Sequence, residues 1–154
     1  MALYYLDASA LAKRCVMEPG TAFVMRVTDP VGPHETWLSD IGCVELISAL
    51  YRRVNTGALT AASAQKAEQV FRGDLRSHLR PINLNPAILA RAMGLARLHL
   101  LRAYDAVQLA TVIDLHNDRR RLNLSWPIFL CADQRLTQAA LAEGLLVDDP
   151  NRYP

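Results

Sequence analysis

Asp7, Glu45, Asp105 and Asp133 are the residues of this chain whose type and placement could do chemistry. Asp7 follows directly on the apolar run Leu3-Tyr4-Tyr5-Leu6, and Asp133 follows a second such run that ends at Cys131. Open parallel sheets gather their sites at the carboxyl ends of strands, so these two aspartates share one edge if their strands are neighbours. Each also suits the N-cap of a following helix, and neither residue alone decides between the roles. Glu45 lies on a helical stretch with Ile41, Gly42, Ser48 and Ala49 as its neighbours three and four residues away. That face is small enough for another element to come close, and it leaves the glutamate either in a pocket or reaching off the helix into solvent. Asp105 stands near the start of a further helix, where it is either favoured by the helix dipole or aimed at the top of the sheet.

Four acids in one place repel one another unless a cation joins them. Hard divalent ions take oxygen ligands, and Mg²⁺ uses one or two carboxylates together with waters and phosphate oxygens. An ion so placed generates a hydroxide-like nucleophile and stabilises charge on a phosphodiester. A zinc site is not expected: His34, His78, His99 and His116 have no ligand spacing such as HxxxH, and Cys15, Cys43 and Cys131 form no CxxC pair. Three cysteines are also an odd number for a disulfide framework, so reduced thiols are expected.

The elements that must position these acids follow from short apolar runs alternating with helical patterns. Strands are predicted over 3–6, 36–39, 81–84, 127–131 and 145–147. Helices are predicted over 9–16, 21–27, 40–55, 60–79, 86–99, 103–116 and 134–143. Ser39 or Asp40 caps the third of these helices, and Pro86 opens the fifth, where proline is well tolerated. Arg119-Arg120-Arg121 is expected in a loop, and the stretch 148–154 as a polar tail. The alternation indicates an α/β fold, a three-layer α/β/α sandwich around a central parallel sheet of about five strands. Periodicity does not give the strand order.

A length of 154 residues suits one domain, residues 1–154, and a hydrophobic fraction of 51% supplies a sizeable core. The opening apolar run is too short for a signal peptide, and no stretch approaches the roughly 18 apolar residues of a membrane span, so a cytoplasmic protein is expected. The net charge is +2, but setting the four carboxylates aside leaves 11 acids against 17 bases. An acidic pocket in a basic surround suits a polyanion bound through metal ions. Arg72, Arg76 and Arg80 fall on one face of the helix predicted to reach residue 79; a solvated face is the simpler account of them, a polyanion or acidic partner the sharper one.

Four segments together resemble the PIN-domain ribonucleases, especially the VapC-type toxins of bacterial type II toxin–antitoxin pairs. They are Tyr5-Leu6-Asp7-Ala8-Ser9-Ala10-Leu11, Val44-Glu45-Leu46-Ile47-Ser48-Ala49-Leu50, Arg102-Ala103-Tyr104-Asp105-Ala106-Val107-Gln108-Leu109-Ala110 and Cys131-Ala132-Asp133-Gln134-Arg135-Leu136. Each is weak alone; their order and spacing, over nearly the whole chain, carry the resemblance. It implies a small, usually dimeric α/β/α sandwich that cleaves RNA internally with Mg²⁺ or Mn²⁺ and is paired with a cognate antitoxin. It makes Asp7, Glu45, Asp105 and Asp133 the acidic metal site, and Ser9 a partner of those acids or a phosphate contact. One position departs. Many relatives carry Thr or Ser two residues before the last aspartate, where this chain has Cys131, a weaker hydrogen-bond donor, so a polar contact at that corner is at risk.

Three alternatives were weighed. A non-catalytic RNA-binding or scaffold PIN domain would be favoured by loss of an acid, and none is lost. A haloacid-dehalogenase-like phosphatase needs a second aspartate where Ser9 stands. A nucleotide-binding module needs a glycine-rich loop, and all seven glycines are isolated.

Overall fold

The computed structural model describes residues 1–153; Pro154, the end of the expected polar tail, lies outside the described residues. The elements in chain order are β1 (Leu3–Leu6), α1 (Ala8–Cys15), α2 (Thr21–Val27), β2 (Glu35–Ser39), α3 (Asp40–Asn55), α4 (Ala61–Ser77), β3 (Leu79–Ile82), α5 (Pro86–His99), α6 (Ala103–Arg121), β4 (Pro127–Leu130), α7 (Gln134–Ala142) and β5 (Leu146–Asp148). A 3₁₀ turn, Pro150–Arg152, follows. The five strands form one sheet in the order β3-β2-β1-β4-β5, every pairing parallel. This is the α/β architecture expected, and the order supplies what periodicity left open.

β1 is the middle strand, and all four of its residues are buried. A strand covered on both faces must be apolar on both, which is why it reads as a continuous run. Its side chains alternate between two cores. Leu3 and Tyr5 point to one side with Phe129, Leu109, Val112 and Ile88. Tyr4 and Leu6 point to the other with Leu38, Leu11, Leu46 and Leu50. The chain builds β2 and β3 on one side of β1, then returns to lay β4 and β5 on the other. The strand order therefore reverses at the β1–β4 boundary, the kind of switch point where parallel sheets open a crevice.

Several expected boundaries move. β3 covers Leu79–Ile82 rather than 81–84, because Leu79 is the residue that enters the core and Asn85 is used as the cap of α5. Pro81 stays inside β3 without harm, since β3 is an edge strand with β2 as its one neighbour. α4 stops at Ser77, so Arg80 leaves the helical face assigned to it; it pairs with Glu35 at 3.3 Å and lies over the Trp37 ring at 5.6 Å. Arg72 on α4 pairs with Glu68. α6 runs on to Arg121, and Arg119-Arg120-Arg121 form its last turn rather than a loop. Cations are favoured there by the carboxyl end of the helix, and Arg119 reaches the Ser125 carbonyl at 3.1 Å. Among the described residues no helix is long and apolar enough to cross a membrane.

Gly20 begins α2 with φ +88°, and a Cβ there would run into the Pro150 carbonyl of the C-terminal turn. Gly73, by contrast, lies in α4 with open space beyond its Cα. Gly20→Ala should therefore cost more than about 1 kcal/mol, from the left-handed backbone and the collision together. Gly73→Ala should stabilise by about 0.5–1 kcal/mol through helix propensity. Urea unfolding of the two variants against the parent measures both signs.

Candidate active site

Asp7 stands where β1 ends. Its backbone N–H bonds the Leu130 carbonyl at 3.0 Å and so continues the β1–β4 ladder by one residue. Its carboxylate caps α1: Asp7 Oδ2 accepts the Ser9 N–H at 3.0 Å and the Ser9 hydroxyl at 2.6 Å. The Ser9 hydroxyl oxygen in turn accepts the Ala132 N–H at 2.9 Å. One serine thus ties the loop after β1 to the loop after β4. Cys131 is fully buried at the same corner, its thiol 3.7 Å from Asp7 Oδ2 and 3.4 Å from the Asp133 N–H. The thiol stays within the polar network of the corner, with the long contacts of sulfur. Asp133, exposed, caps α7 by accepting the Leu136 N–H at 2.9 Å. Capping and a place at the sheet edge turn out to be compatible for both aspartates.

Glu45 and Asp105 come in from helices. The small face of α3 does admit another element. Gln108 of α6, fully buried, reaches across and donates from Nε2 to Glu45 Oε2 at 2.7 Å. Asp105 sits in the first turn of α6, but Arg102 is the cap residue of that helix, so Asp105 is not held there by a capping bond.

The electrostatics link Glu45 to Asp7 and Asp105, and Asp105 to Asp7 and Asp133. Burial raises the Asp7 pKa above the usual carboxylate range, against the bonds from Ser9. Glu45 is pushed up to about 7, first by burial and further by the charges of Asp7 and Asp105, while Gln108 and Arg52 act the other way. Asp105 is raised by burial and then by Asp7 and Asp133, with Arg102 and Arg135 opposing. Glu45 and Asp105 are each raised in part by other acids of the set, but the side chains are not drawn into a tight cage. Among the described residues no three His, Cys, Asp or Glu side chains are grouped so that they could hold one metal ion between them. The donors still fit a hard divalent ion: they are oxygens short of positive charge, and such an ion asks for one or two carboxylates, water filling the rest.

A cleft of about 410 Å³ is lined by Glu45 among the four acids, together with Ser9, Tyr104, Lys13, Arg52 and Arg53. Lys13 is buried and its three donors are spent on the Pro19 carbonyl and Asn151, both at 2.8 Å, and on Glu18 at 3.3 Å. Arg53 meets Glu18 at 3.6 Å but keeps one buried guanidinium nitrogen without a partner.

No family model matches the chain. Two ribonucleases of Mycobacterium tuberculosis do: Ribonuclease VapC45 of strain CDC 1551 and Ribonuclease VapC49 of strain H37Rv, each 32% identical over 147 residues, or 96% of this chain and 95% of theirs. The chain belongs to the VapC ribonuclease family. Solved structures agree on the fold. A toxin–antitoxin complex from Klebsiella pneumoniae superposes with a TM-score of 0.61 at 16% identity, over 96% of this chain and 97% of that one. VapBC2 from Rickettsia felis, bound to a DNA fragment from its promoter, gives 0.60 at 11% identity over 96% and 98%. In this VapC chain Asp7 and Asp133 follow the two strands that flank the switch point, β1 and β4. Sequence reasoning had missed Gln108 and the arginines of α3. Gln108 shows in the sequence only as a polar residue among Val107, Leu109 and Ala110, which does not set it apart from the equally buried Thr111.

Raised carboxylate pKa values set a sign for stability. Without metal, the folded protein holds more protons than the unfolded chain between the ordinary glutamate range, about 4.3, and about 7, where Glu45 titrates. Stability should fall as pH rises through that window and stay reduced above it. Asp105→Asn should raise the melting temperature at pH 7 by a few degrees in chelator, because it relieves repulsion and removes no cap. Thermal melts from pH 4.5 to 8 in chelator check this; a variant that melts lower would show Asp105 to be structural.

Proposed function

We propose that this protein is a divalent-metal-dependent endoribonuclease that hydrolyses RNA phosphodiester bonds as the toxin of a toxin–antitoxin pair. The observation that carries the reading is a VapC-family chain with Asp7 and Asp133 at the ends of the neighbouring strands β1 and β4; Glu45 and Asp105 complete the carboxylate set that we assign to the site. Mg²⁺ or Mn²⁺ suits oxygen donors of this kind, with one or two of Asp7, Glu45, Asp105 and Asp133 holding the ion and water completing its shell. When bound, the ion supplies an activated water and neutralises charge building on the phosphate.

The chain's own residues do the remainder. Ser9 holds the Asp7 carboxylate in one orientation and keeps the two loops in register. Gln108 holds Glu45 against the cleft. Arg52 and Arg53, two turns along α3 from Glu45, take the phosphates of the strand beyond the scissile bond. Tyr104, 56% exposed at the cleft, offers a ring on which an unpaired base can stack. The Cys43–Phe71–Leu75 groove between α3 and α4, about 510 Å³, adjoins this cleft through Val44 and Ser48 and is where an antitoxin segment would be received. A homodimer, RNA as substrate and a cytoplasmic setting belong to the same proposal. A non-catalytic role finds no support in a site that retains every acid.

RNA cleavage should vanish in chelator and return with Mg²⁺ or Mn²⁺. Asp7→Asn should abolish it while leaving a folded protein, since asparagine caps a helix as well as aspartate does. Cleavage that persists in chelator would rule the mechanism out. Arg52→Gln and Arg53→Gln should each weaken binding of single-stranded RNA to the Asp7→Asn protein and flatten its dependence on log salt by about 0.7. Unchanged salt slopes by fluorescence anisotropy would remove the two arginines from the RNA path.

A further inference from the structure

Gln108 lies in the middle of α6 with no exposed surface, between the two cores. An amide there costs free energy unless every part of it is bonded. It is bonded at both ends, and to different elements. Its Oε1 accepts the Tyr5 hydroxyl at 2.7 Å from β1 and the Ser39 hydroxyl at 3.1 Å from the end of β2. Its Nε2 donates to Glu45 Oε2 at 2.7 Å on α3.

The direction of this chain of bonds is determined by chemistry. An ionised Glu45 can only accept, so the amide must turn its NH₂ toward it. The Ser39 oxygen already accepts the Gly42 N–H at 3.1 Å as the cap of α3, so its proton is free to point at Gln108. Tyr5 is fully buried, and burial raises its pKa, so the phenol keeps its proton to donate. Flipping the amide would set a carbonyl oxygen against a carboxylate and two N–H groups against two hydroxyls. Gly42 completes the fit. A Cβ at that position would stand 3.0 Å from Gln108 Nε2, so the space the amide needs exists because residue 42 has no side chain. Glu45 follows Gly42 by three residues on the same face of α3, directly in the amide's path.

We propose that Gln108 is a positioning residue for the metal site: a neutral amide, clamped from behind by Tyr5 and Ser39, that holds one Glu45 oxygen and so sets the rotation at which the carboxylate meets a divalent cation. The proposal rests on the metal-dependent reading above. A neutral donor suits this task better than an arginine or lysine, because it orients the carboxylate without cancelling the charge that attracts the ion. Partners of this kind behind metal ligands are worth about 10–100-fold in metal affinity.

The test reads metal binding in RNA-free protein, independently of cleavage. Mn²⁺ affinity is measured by electron paramagnetic resonance for the parent, Gln108→Met and Gly42→Ala. Methionine keeps the length and loses the bonds; alanine keeps every bonding group and crowds the amide. Both variants should bind Mn²⁺ about 10–100-fold more weakly. Thermal melts in chelator show that each is folded. A folded Gln108→Met with parental Mn²⁺ affinity overturns the proposal. Because loss of the amide strands two buried hydroxyls and that variant can unfold, the parent itself supplies a further readout. In protein ¹⁵N-labelled at glutamine, Mg²⁺ should shift the Gln108 side-chain amide resonances with the same midpoint as metal binding. Resonances that stay put through saturation overturn the proposal. A parent that binds neither ion overturns the metal reading itself, a result distinct from equal affinities in parent and variant, which would sink the role of Gln108 alone.

Discussion

Like charges in a confined, poorly hydrated place repel, and in this protein Asp7 stands close enough to Glu45 and Asp105 to raise the proton affinity of both. The architecture is organised around keeping these acids near one another. Asp7 is almost wholly buried, and an isolated carboxylate in such a position would be expelled or protonated. Ser9 makes it tenable, giving Asp7 both a backbone and a hydroxyl donor while receiving the Ala132 N–H from the loop after β4. That contact exists because β1 and β4 are neighbours, and they are neighbours because the chain crosses back over the sheet after β3. The corner, the switch point and the acidic cluster are one feature seen at three scales.

The acids are fastened in two ways. Asp7 and Asp133 are held by the helices they begin, since a capping carboxylate accepts the first free N–H groups and keeps lone pairs for other partners. Glu45 and Asp105 project from helix sides, and their placement depends on how α3 and α6 pack across the sheet edge. That packing is itself partly polar: Tyr5, Ser39, Gln108 and Glu45 link β1, β2, α6 and α3 through consecutive hydrogen bonds. The raised proton affinity of Asp7, Glu45 and Asp105 expresses the same constraint in chemical form. Without a cation, protons take up part of the excess negative charge, so the metal-free protein is poised to exchange protons for a divalent ion.

α3 carries both signs of charge along the cleft. Glu45 and Arg52 are seven residues apart, a rise of about 10 Å. A polyanion lying along this helix would meet positive charge at one end and, at the other, acids that repel it until a cation intervenes. Such an arrangement would make metal and substrate binding mutually supportive.

Residue type and local spacing were enough to determine most of the elements and to single out four candidate acids. Strand and helix patterns depend on neighbours within a few residues, and a carboxylate after an apolar run is visible without knowing what packs beside it. The failures lie where a distant partner decided the outcome. β3 begins two residues early because Leu79 is drawn into the core and Pro81 is tolerated on an edge strand, a status that only the sheet order confers. α6 continues through Arg119-Arg120-Arg121 because the end of a helix stabilises cations that look, in isolation, like a soluble loop. Gln108 is the plainest case. Its neighbours in sequence are apolar, and its three bonding partners, Tyr5, Ser39 and Glu45, lie 63 to 103 residues away, in a space left open by Gly42. No local pattern can announce such a residue. The sequence determined which groups were available, and the tertiary structure alone decided which of them meet, because a buried hydrogen bond is made by side chains that folding brings together from far along the chain.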